Sequence, residues 1–403
     1  MTKLDGGIAS EARLEFIDAL RGFALFGVFW ANLLIFSGLG YMGDEQRTAL
    51  FGAHHDSIAY FLERFFIENK FMGLFSFLFG ISFWLFLGRV RARGASPIVL
   101  FYRRIFWLFV IGAVHGWLFW CFDILRFYAL WALLLPLFAR MAPRRLLGAA
   151  LVAGVLLPAL VSGANVWLTH PVGDAPDYDA MALAAFSHGS FREVLEVNWR
   201  YDWYLTLDIS QIAYQVAVFG RILLGLCAAR SLDLANLESQ RSLLRRILVA
   251  GGAVGLIGST IFAAHLLASD PPRAPLVMLR RLLVEGGQLG LSLAYASLLG
   301  LGYLAPRSRR LVRALAPIGQ MALTWYLLQT AFGIFLFYGF AHGPALLGQV
   351  GPAALATLCL VGFAVQLLLA HAWMRRFRYG PAEWCWRSLT YWKVQPLARP
   401  RFD

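Results

Sequence analysis

The sequence predicts an all-α integral membrane protein, a polytopic bundle of about ten transmembrane helices with both termini cytoplasmic. Of its 403 residues, 59% are hydrophobic and 15% are charged, and the mean hydropathy is +0.63; soluble domains hold about 45–50% apolar and about 25% charged residues. The apolar residues recur in runs of about 20, the length with which a helix crosses a bilayer. Arginine-rich loops alternate with acidic or short ones, as expected when successive helices cross in opposite directions.

Ten apolar runs define the predicted spans: 16–38, 57–88, 105–122, 123–140, 146–168, 208–229, 247–268, 280–304, 317–340 and 351–373. Segments this apolar must satisfy their backbone hydrogen bonds internally, so we interpret them as helices rather than sheet. No repeat or low-complexity linker divides the chain. We therefore interpret residues 1–403 as a single transmembrane bundle domain.

Arginine clusters assign the loops to sides of the membrane. The clusters occupy 89–104, 140–145, 230–246, 307–313 and 375–378, and the positive-inside rule makes these loops, and the C-terminal tail 375–403, cytoplasmic. The longest loop of the other set, 169–207, carries six acids against two arginines and is predicted to be external. Arg273, Arg280 and Arg281 conflict with this scheme unless acids such as Glu285 pair with them or the eighth span is misplaced. Acids and bases precede the first run, and no small-residue cleavage site follows it, so we expect a retained first span rather than a signal peptide.

The net charge of +13 does not indicate nucleic-acid binding. The basic residues fall between apolar spans, whereas a nucleic-acid surface needs them on a solvated face with stacking aromatic side chains. The four cysteines are scattered, without companion histidines at metal-ligand spacing, so the sequence predicts neither a disulfide framework nor a metal site.

The segment 113–130, "AVHGWLFWCFDILRFYAL", places His115, Asp123 and Arg126 among apolar residues. Ionisable groups inside a membrane are costly, so they are functional candidates by default. His115 and Asp123 would lie about 12 Å apart along a continuous helix, too far for a hydrogen bond, so either the chain turns between them or each must use another span. The alternatives are a neutral His115 bonded to a neighbouring helix and a local Asp123–Arg126 pair that closes an external turn.

Three other polar groups are candidates. Asp18 and Arg21 share a face of the first span and can form a structural pair, although Arg21 could equally anchor that helix at the headgroups. Glu285 precedes "GGQ", a small-residue break where helices approach closely or a cavity opens. His54 and His55 lie together in the predicted outer loop, where histidines are usually just solvated.

Several stretches resemble a bacterial membrane family catalogued as domain of unknown function 418 and often called YeiB-like. They are "DALRGFALFGVFWANLLIFSG" near the start, "KFMGLFSFLFG" at 70–80, "HGWLFWCFDILRFYAL" at 115–130, "GQMALTWYLLQT" at 319–330 and "FRYGPAEWCWRSLTY" at 377–391. The sequence departs from the family pattern at Gln320 and Trp325, where arginine and asparagine are usual.

That family looks like a distant relative of transmembrane acyltransferases, namely the acyltransferase 3 and heparan-α-glucosaminide acetyltransferase types. The resemblance implies a roughly ten-helix core in a bacterial inner membrane that takes an acyl group, such as acetyl, from cytoplasmic acyl-coenzyme A to a hydroxyl or amine, commonly on a sugar at the outer face. The shared Asp-x-x-Arg-Gly matches Asp18 and Arg21. Acyltransferase 3 proteins carry a histidine at the position of Asn32; the heparan type has asparagine there and a histidine in the next external region, which keeps His55 as a candidate.

These observations lead to the hypothesis of a membrane-embedded acyltransferase. His115 would act as general base or transient acyl carrier, with Asp123 or Glu285 orienting its imidazole. Arg21, Arg103 and Arg104 would hold the coenzyme A phosphates. The alternative is a proton-coupled small-molecule transporter or exporter that uses the buried His, Asp and Glu as a proton relay. A third hypothesis, a structural or sensory protein, does not account for the buried charges. Besides lipid, the expected partners are an acyl donor and a small-molecule or glycan acceptor.

Overall fold

The computed structural model describes residues 3–92, 94, 96–168, 177–234, 236–268 and 271–399, and the side chains of these residues except 3–14 and 168. The described helices, in chain order, are α1 (Lys3–Phe36), α2 (Asp44–Phe51), α3 (His54–Leu62), α4 (Lys70–Arg91), α5 (Pro97–Leu118), α6 (Leu125–Ala132), α7 (Leu135–Phe138), α8 (Pro143–Leu151), α9 (Leu157–Leu168), α10 (Tyr178–His188), α11 (Phe191–Leu207), α12 (Ile209–Ser231), α13 (Arg241–Ala263), α14 (Ala274–Leu304), α15 (Pro306–Ala314), α16 (Ala316–Gln320), α17 (Ala322–Phe337), α18 (Pro352–Arg376) and α19 (Pro381–Tyr391). One isolated antiparallel bridge, Phe377 to Ala398, is the only β pairing in the described part of the chain. The predicted all-α polytopic membrane fold is confirmed.

Eight helical segments in the described residues are long and apolar enough to cross a membrane, and a bent pair can supply a ninth. The eight are 15–36, 54–91, 97–118, 143–167, 209–231, 237–263, 274–304 and 352–376. π-helical turns at Glu63–Ile67 and Val152–Leu156 join α3 to α4 and α8 to α9. The bent pair is Pro306–Gln320 and Ala322–Phe337, which meet at 76°.

The predicted span 123–140 differs from the other nine. It consists of two short helices, α6 and α7, separated at Leu133 and Leu134. Pro136 near the start of α7 lacks a backbone N–H donor, which explains why the helix does not run on without interruption. Before α6, residues 119–124 form a non-helical turn that returns the chain toward α5.

Close backbone contacts at glycines hold the central helices together. A Cβ on Gly80 of α4 would lie 1.9 Å from the carbonyl oxygen of Ile222 in α12, and one on Gly225 would lie 1.9 Å from that of Phe77. A Cβ on Gly319 of α16 would lie 1.8 Å from the carbonyl oxygen of Asp18. Since small residues let membrane helices approach closely, these contacts hold α4 against α12 and α1 against α16, and α1, α4 and α16 line the cavity described below.

The predicted external loop 169–207 is mainly helical. Residues 169–176, including Asp174, lie outside the described residues, and α10 and α11 account for most of the rest. Aromatic stacking attaches this region to the bundle, with the rings of Phe186 and Tyr338 centred 4.3 Å apart. The described part of the predicted tail, 375–399, is also structured, because α19 packs against α5 and α17.

Candidate functional site

His115 is the centre of a buried chain of polar groups. Its Nδ1 lies 2.8 Å from Asp123 Oδ1, and its Nε2 lies 3.0 Å from Thr330 Oγ1 of α17. The exposed fractions of His115, Asp123 and Thr330 are 4%, 1% and 2%. A carboxylate can only accept a hydrogen bond, so Nδ1 donates to Asp123 and, in the neutral imidazole, Nε2 accepts from the Thr330 hydroxyl. This is the order of groups found in hydroxyl–histidine–carboxylate triads.

Two glycines explain how Asp123 returns to His115. A Cβ on Gly112 would lie 2.4 Å from the backbone nitrogen of Arg126 and 2.9 Å from Asp123 Oδ2, and one on Gly116 would lie 3.2 Å from Asp123 Cβ. The returning chain therefore packs directly on α5. The other carboxylate oxygen of Asp123 accepts the Arg126 backbone N–H at 2.8 Å. Asp123 thus orients the imidazole and helps to begin α6.

The guanidinium of Arg126 pairs with Asp202 of α11, not with Asp123. Arg126 Nη1 donates to Asp202 Oδ2 at 2.6 Å, and Nη2 donates to Oδ1. Trp117 Nε1 donates to the same Oδ2 at 3.0 Å. Both charged groups are buried, so the local Asp123–Arg126 side-chain pair is replaced by a contact that ties the turn to α11.

A cavity of about 400 Å³ opens at the end of the bundle that carries the arginine clusters, which we call the arginine-rich end. Its aromatic and aliphatic wall comes mainly from α4, α5 and α6 and includes Phe75, Phe79, Phe83, Phe86, Phe101, Leu108 and Leu125. Tyr128, Ile124 and Tyr326 line it on the side of the 119–124 turn.

Guanidinium groups surround the mouth of this cavity. The arginines among the described lining residues are Arg21, Arg89, Arg104, Arg378 and Arg387. Arg21 Nη1 donates to Asp18 Oδ1 at 2.5 Å and Nη2 donates to Ser82 at 2.7 Å. Arg104 stacks on the ring of Trp386 at 3.6 Å. Stacked or singly paired guanidiniums keep N–H donors for an anion, and several together produce a positive potential in the mouth.

Asp18 and Glu383 are the two carboxyl groups among the described lining residues. The Glu383 carboxylate accepts hydrogen bonds from the first turn of α17. Its Oε1 accepts the backbone N–H groups of Leu323 at 2.6 Å and Thr324 at 3.1 Å, and its Oε2 accepts the Thr324 hydroxyl at 2.6 Å. Burial raises the pKa of Glu383, whereas the hydrogen bonds from Thr324 and the backbone act in the opposite direction. A carboxylate from α19 therefore caps α17 at the bend that follows Gln320.

Tyr326 separates the cavity from His115. The Tyr326 ring lines the cavity, and its centroid lies 5.1 Å from that of the imidazole. Its hydroxyl accepts the backbone N–H of Ile124 at 3.3 Å. His115 itself does not line the cavity, so the Tyr326 side chain lies between the cavity and the imidazole that it contacts.

The family model described as "Protein of unknown function (DUF418)" matches residues 228–393. A Bacillus subtilis protein printed as "Uncharacterized protein YxaH" is 30% identical, with 99% of each chain covered. The chain belongs to the DUF418 family. An "Uncharacterized 39.9 kDa protein in amylase 3'region" from Bacillus acidopullulyticus is 30% identical over 97% of each chain, and "Uncharacterized protein YeiB" from Escherichia coli is 29% identical over 93% of this chain and 95% of its own length. No solved structure matches the chain.

In this DUF418 protein Glu285 lies apart from His115. Glu285 Oε2 accepts from Arg221 Nη2 at 2.6 Å, and Oε1 lies 2.8 Å from Arg281 Nη2. Gln288 accepts a further bond from Arg221 at 3.0 Å. These contacts give Arg281 an acidic partner, which is the explanation that the sequence offered for an arginine on the predicted outer side. They form a second buried polar cluster in the DUF418 bundle.

The remaining predicted residues divide between the cavity and the surface. Asp18, Arg21 and Arg104 line the cavity, as does Gln320. Arg103 does not line it, and its guanidinium lies over the Trp392 ring at 4.9 Å. The side chain of His55 is 72% exposed, with Nε2 3.4 Å from Asp56 Oδ2. The structure brings neither histidine of the 54–55 pair to the His115 site.

Sequence reasoning missed several residues of the DUF418 site. Thr330 and Tyr326 are four positions apart on α17 and so lie on one helix face, a spacing that could have drawn attention to them. The sequence marks Asp202 only as an acid of the external loop, and Glu383 and Arg387 only as parts of a motif. The described cysteines Cys121, Cys227, Cys359 and Cys385 are free thiols. Among the described residues, no group of three or more His, Cys, Asp or Glu could hold a metal ion.

Proposed function

We propose that this protein is a membrane-embedded acyltransferase that uses cytoplasmic acyl-coenzyme A as donor and a hydroxyl or amine as acceptor, on a sugar or lipid-linked glycan at the outer face. The observation that carries the proposal is the cavity, whose mouth is lined by arginines and whose wall includes Tyr326, beside His115. In a bacterial inner membrane the arginine-rich end would face the cytoplasm, where coenzyme A is found.

The donor would bind with its phosphates at the mouth. Arg104 of α5, Arg387 of α19 and Arg21 of α1 all line the cavity. A guanidinium group can donate two parallel N–H bonds to phosphate oxygens, so several arginines together suit the binding of a diphosphate at this position. The pantetheine arm would extend into the cavity, where Ser82, Gln320 and Tyr326 offer hydrogen-bonding groups to its amides. The thioester would then lie near Tyr326.

Transfer would use His115 as the base. The acceptor hydroxyl would take the place of Thr330 at Nε2 and give up its proton there, while its oxygen attacks the thioester carbonyl carbon. The C–S bond then breaks, and the proton passes from the imidazolium to the sulfur, which leaves as free coenzyme A. Asp123 would hold the tautomer and stabilise the imidazolium, the role of a triad carboxylate. Tyr326 would swing aside to let the thioester reach this position.

Binding and turnover of acetyl-coenzyme A by the purified full-length chain test the proposal. Arg104→Gln with Arg387→Gln should raise the Kd about tenfold or more, because each guanidinium loses its charge-assisted bonds to phosphate. Arg144→Gln is the matched control, since Arg144 is exposed on α8 at the same end of the bundle. His115→Gln should retain binding and lose thiol release with glucosamine as trial acceptor. Failure to bind acetyl-coenzyme A, or equal binding by the double variant, would contradict the proposal.

One observation favours a second candidate, a proton-coupled transporter or exporter. The 76° bend between α16 and α17 beside the cavity is the kind of broken helix on which transporters build their binding sites. A transporter would move substrate across proteoliposomes without loss of thioester. Thiol release that depends on His115 would exclude this alternative as the main activity.

A further inference from the structure

We propose that the donor carries a short acyl group of about two to four carbons and that Phe75 and Tyr128 set this limit as the floor of the cavity. The inference rests on the proposed function, because it places the phosphates of the donor at the arginine mouth. It adds a substrate class and two specificity-determining residues.

The depth of the cavity follows from α4, which lines it from end to end. Arg89 lies at the mouth and Phe75 is the lining residue of α4 farthest from it. Fourteen positions separate them, so at about 1.5 Å per residue the cavity runs roughly 21 Å along the helix. This distance has to accommodate both the arm and the acyl group.

The pantetheine arm uses most of that depth. From the phosphate ester oxygen to the sulfur it has a backbone about as long as four extended residues, roughly 14 Å. About 7 Å remains for the acyl group. With C–C bonds of about 1.5 Å, this admits a chain of about two to four carbons once the carbonyl is placed.

The floor is held in position by hydrogen bonds and stacking. The Tyr128 hydroxyl shares a hydrogen bond with Ser76 at 2.8 Å and lies 3.4 Å from the Met72 carbonyl oxygen. The ring of Phe75 stacks on that of Tyr128, with centroids 6.1 Å apart. Tyr128 is buried, so it cannot move away without leaving polar groups unpaired.

The region behind the floor is unsuitable for a longer chain. One turn beyond Phe75 on the same face of α4 lies the buried side chain of Phe71. Its ring is centred 5.0 Å from that of Phe23 and 5.2 Å from that of Tyr295. A methylene chain pushed beyond the floor would have to force these packed rings apart, which is destabilising.

A series of acyl-coenzyme A donors from two to sixteen carbons tests the inference. The wild type should prefer two to four carbons, with kcat/KM about tenfold or more lower at eight, since one methylene changes discrimination by roughly 10–200-fold. Phe75→Ala should move the preference toward six to eight carbons, and Phe75→Leu should move it less. Phe106→Ala is the control, because Phe106 is an exposed side chain of α5 outside the cavity; it should leave the profile unchanged.

The outcomes separate the two proposals. If no donor of any length is consumed, the acyltransferase proposal fails and the length limit fails with it. If the wild type consumes twelve- to sixteen-carbon donors as well as acetyl-coenzyme A, or if neither Phe75 variant changes the profile, only the length limit is overturned. Thermal unfolding of each variant establishes that it is folded, and Tyr128→Leu provides an independent opening of the same floor.

Discussion

The imidazole of His115 and the carboxylate of Asp123 lie 2.8 Å apart although eight residues separate them along the chain. The contact exists because α5 ends at Leu118 and the next six residues fold back against Gly112 and Gly116. Both residues are almost fully enclosed by protein. The pair is therefore a tertiary feature of a turn, and its geometry depends on every group that holds that turn.

In the proposed mechanism, Asp123→Asn should prevent His115 from acting as the base without unfolding the protein. The amide still accepts the Arg126 N–H, but its NH2 group now faces Nδ1 of His115, so the proton moves to Nε2 and that nitrogen can no longer accept one. We expect kcat to fall by a factor on the order of 10³–10⁴, as for other triad carboxylates. The rate of thiol release from acetyl-coenzyme A measures this fall in kcat. A variant that is folded and fully active would remove Asp123 from the mechanism.

Asp202→Asn should destabilise the protein by about 3–5 kcal/mol, because it leaves the buried guanidinium of Arg126 without its counter-charge. Glu196→Gln on the same helix is the control. Its partner Arg200 lies 2.7 Å away, but both side chains are more than half exposed, so a change of about 0–1 kcal/mol is expected. Chemical unfolding in detergent compares the two variants. Equal losses of unfolding free energy in the two variants would show that burial does not determine how much the Arg126–Asp202 pair contributes to stability.

Gly287→Ala should separate α13 from α14, whereas Gly286→Ala should not. A Cβ on Gly287 would lie 2.5 Å from Gly258 Cα, while one on Gly286 meets nothing within 4 Å. The first substitution forces two helices apart, with an expected loss of about 1–3 kcal/mol. The second gains up to about 1 kcal/mol of helix propensity. Thermal unfolding of this adjacent pair tests the contact, and a reversed order would argue against it.

The pH dependence of stability should reflect Glu383. Because burial raises its pKa in the folded state, the folded protein binds this proton more tightly than the unfolded chain does. The contribution of Glu383 to the free energy of unfolding therefore increases as the pH falls from neutral through the folded-state pKa. The same contribution is lost as the pH rises through that pKa. Glu383→Gln removes the titration, so the difference in unfolding midpoint between wild type and variant should vary over this window. A constant difference would contradict the assignment.

Nine of the ten spans could be predicted from the sequence because each depends on a local apolar run, and a turn between His115 and Asp123 is one of the two arrangements that the sequence allows if the two residues cooperate. The sequence could not identify Asp202, since a contact between residues 76 positions apart depends on how helices pack. Arg103 and Arg104 of α5 show the same limit of prediction from sequence. They are adjacent in sequence, but the helix turns about 100° between them, so Arg104 faces the cavity and Arg103 lies over Trp392. The division of 123–140 into α6 and α7 likewise has only Pro136 as a local signal.

The Arg126–Asp202 pair also has a consequence for how the protein is made. When Arg126 is added to the growing chain, the carboxylate that will neutralise it is still 76 residues from being synthesised, which takes roughly 4–15 s at about 5–20 residues per second. During that interval the 119–124 turn has no support from α11. The His115 site is therefore completed only after the later helices have been inserted, so a nascent chain that stalls before residue 202 would contain α5 and α6 without an enclosed imidazole between them.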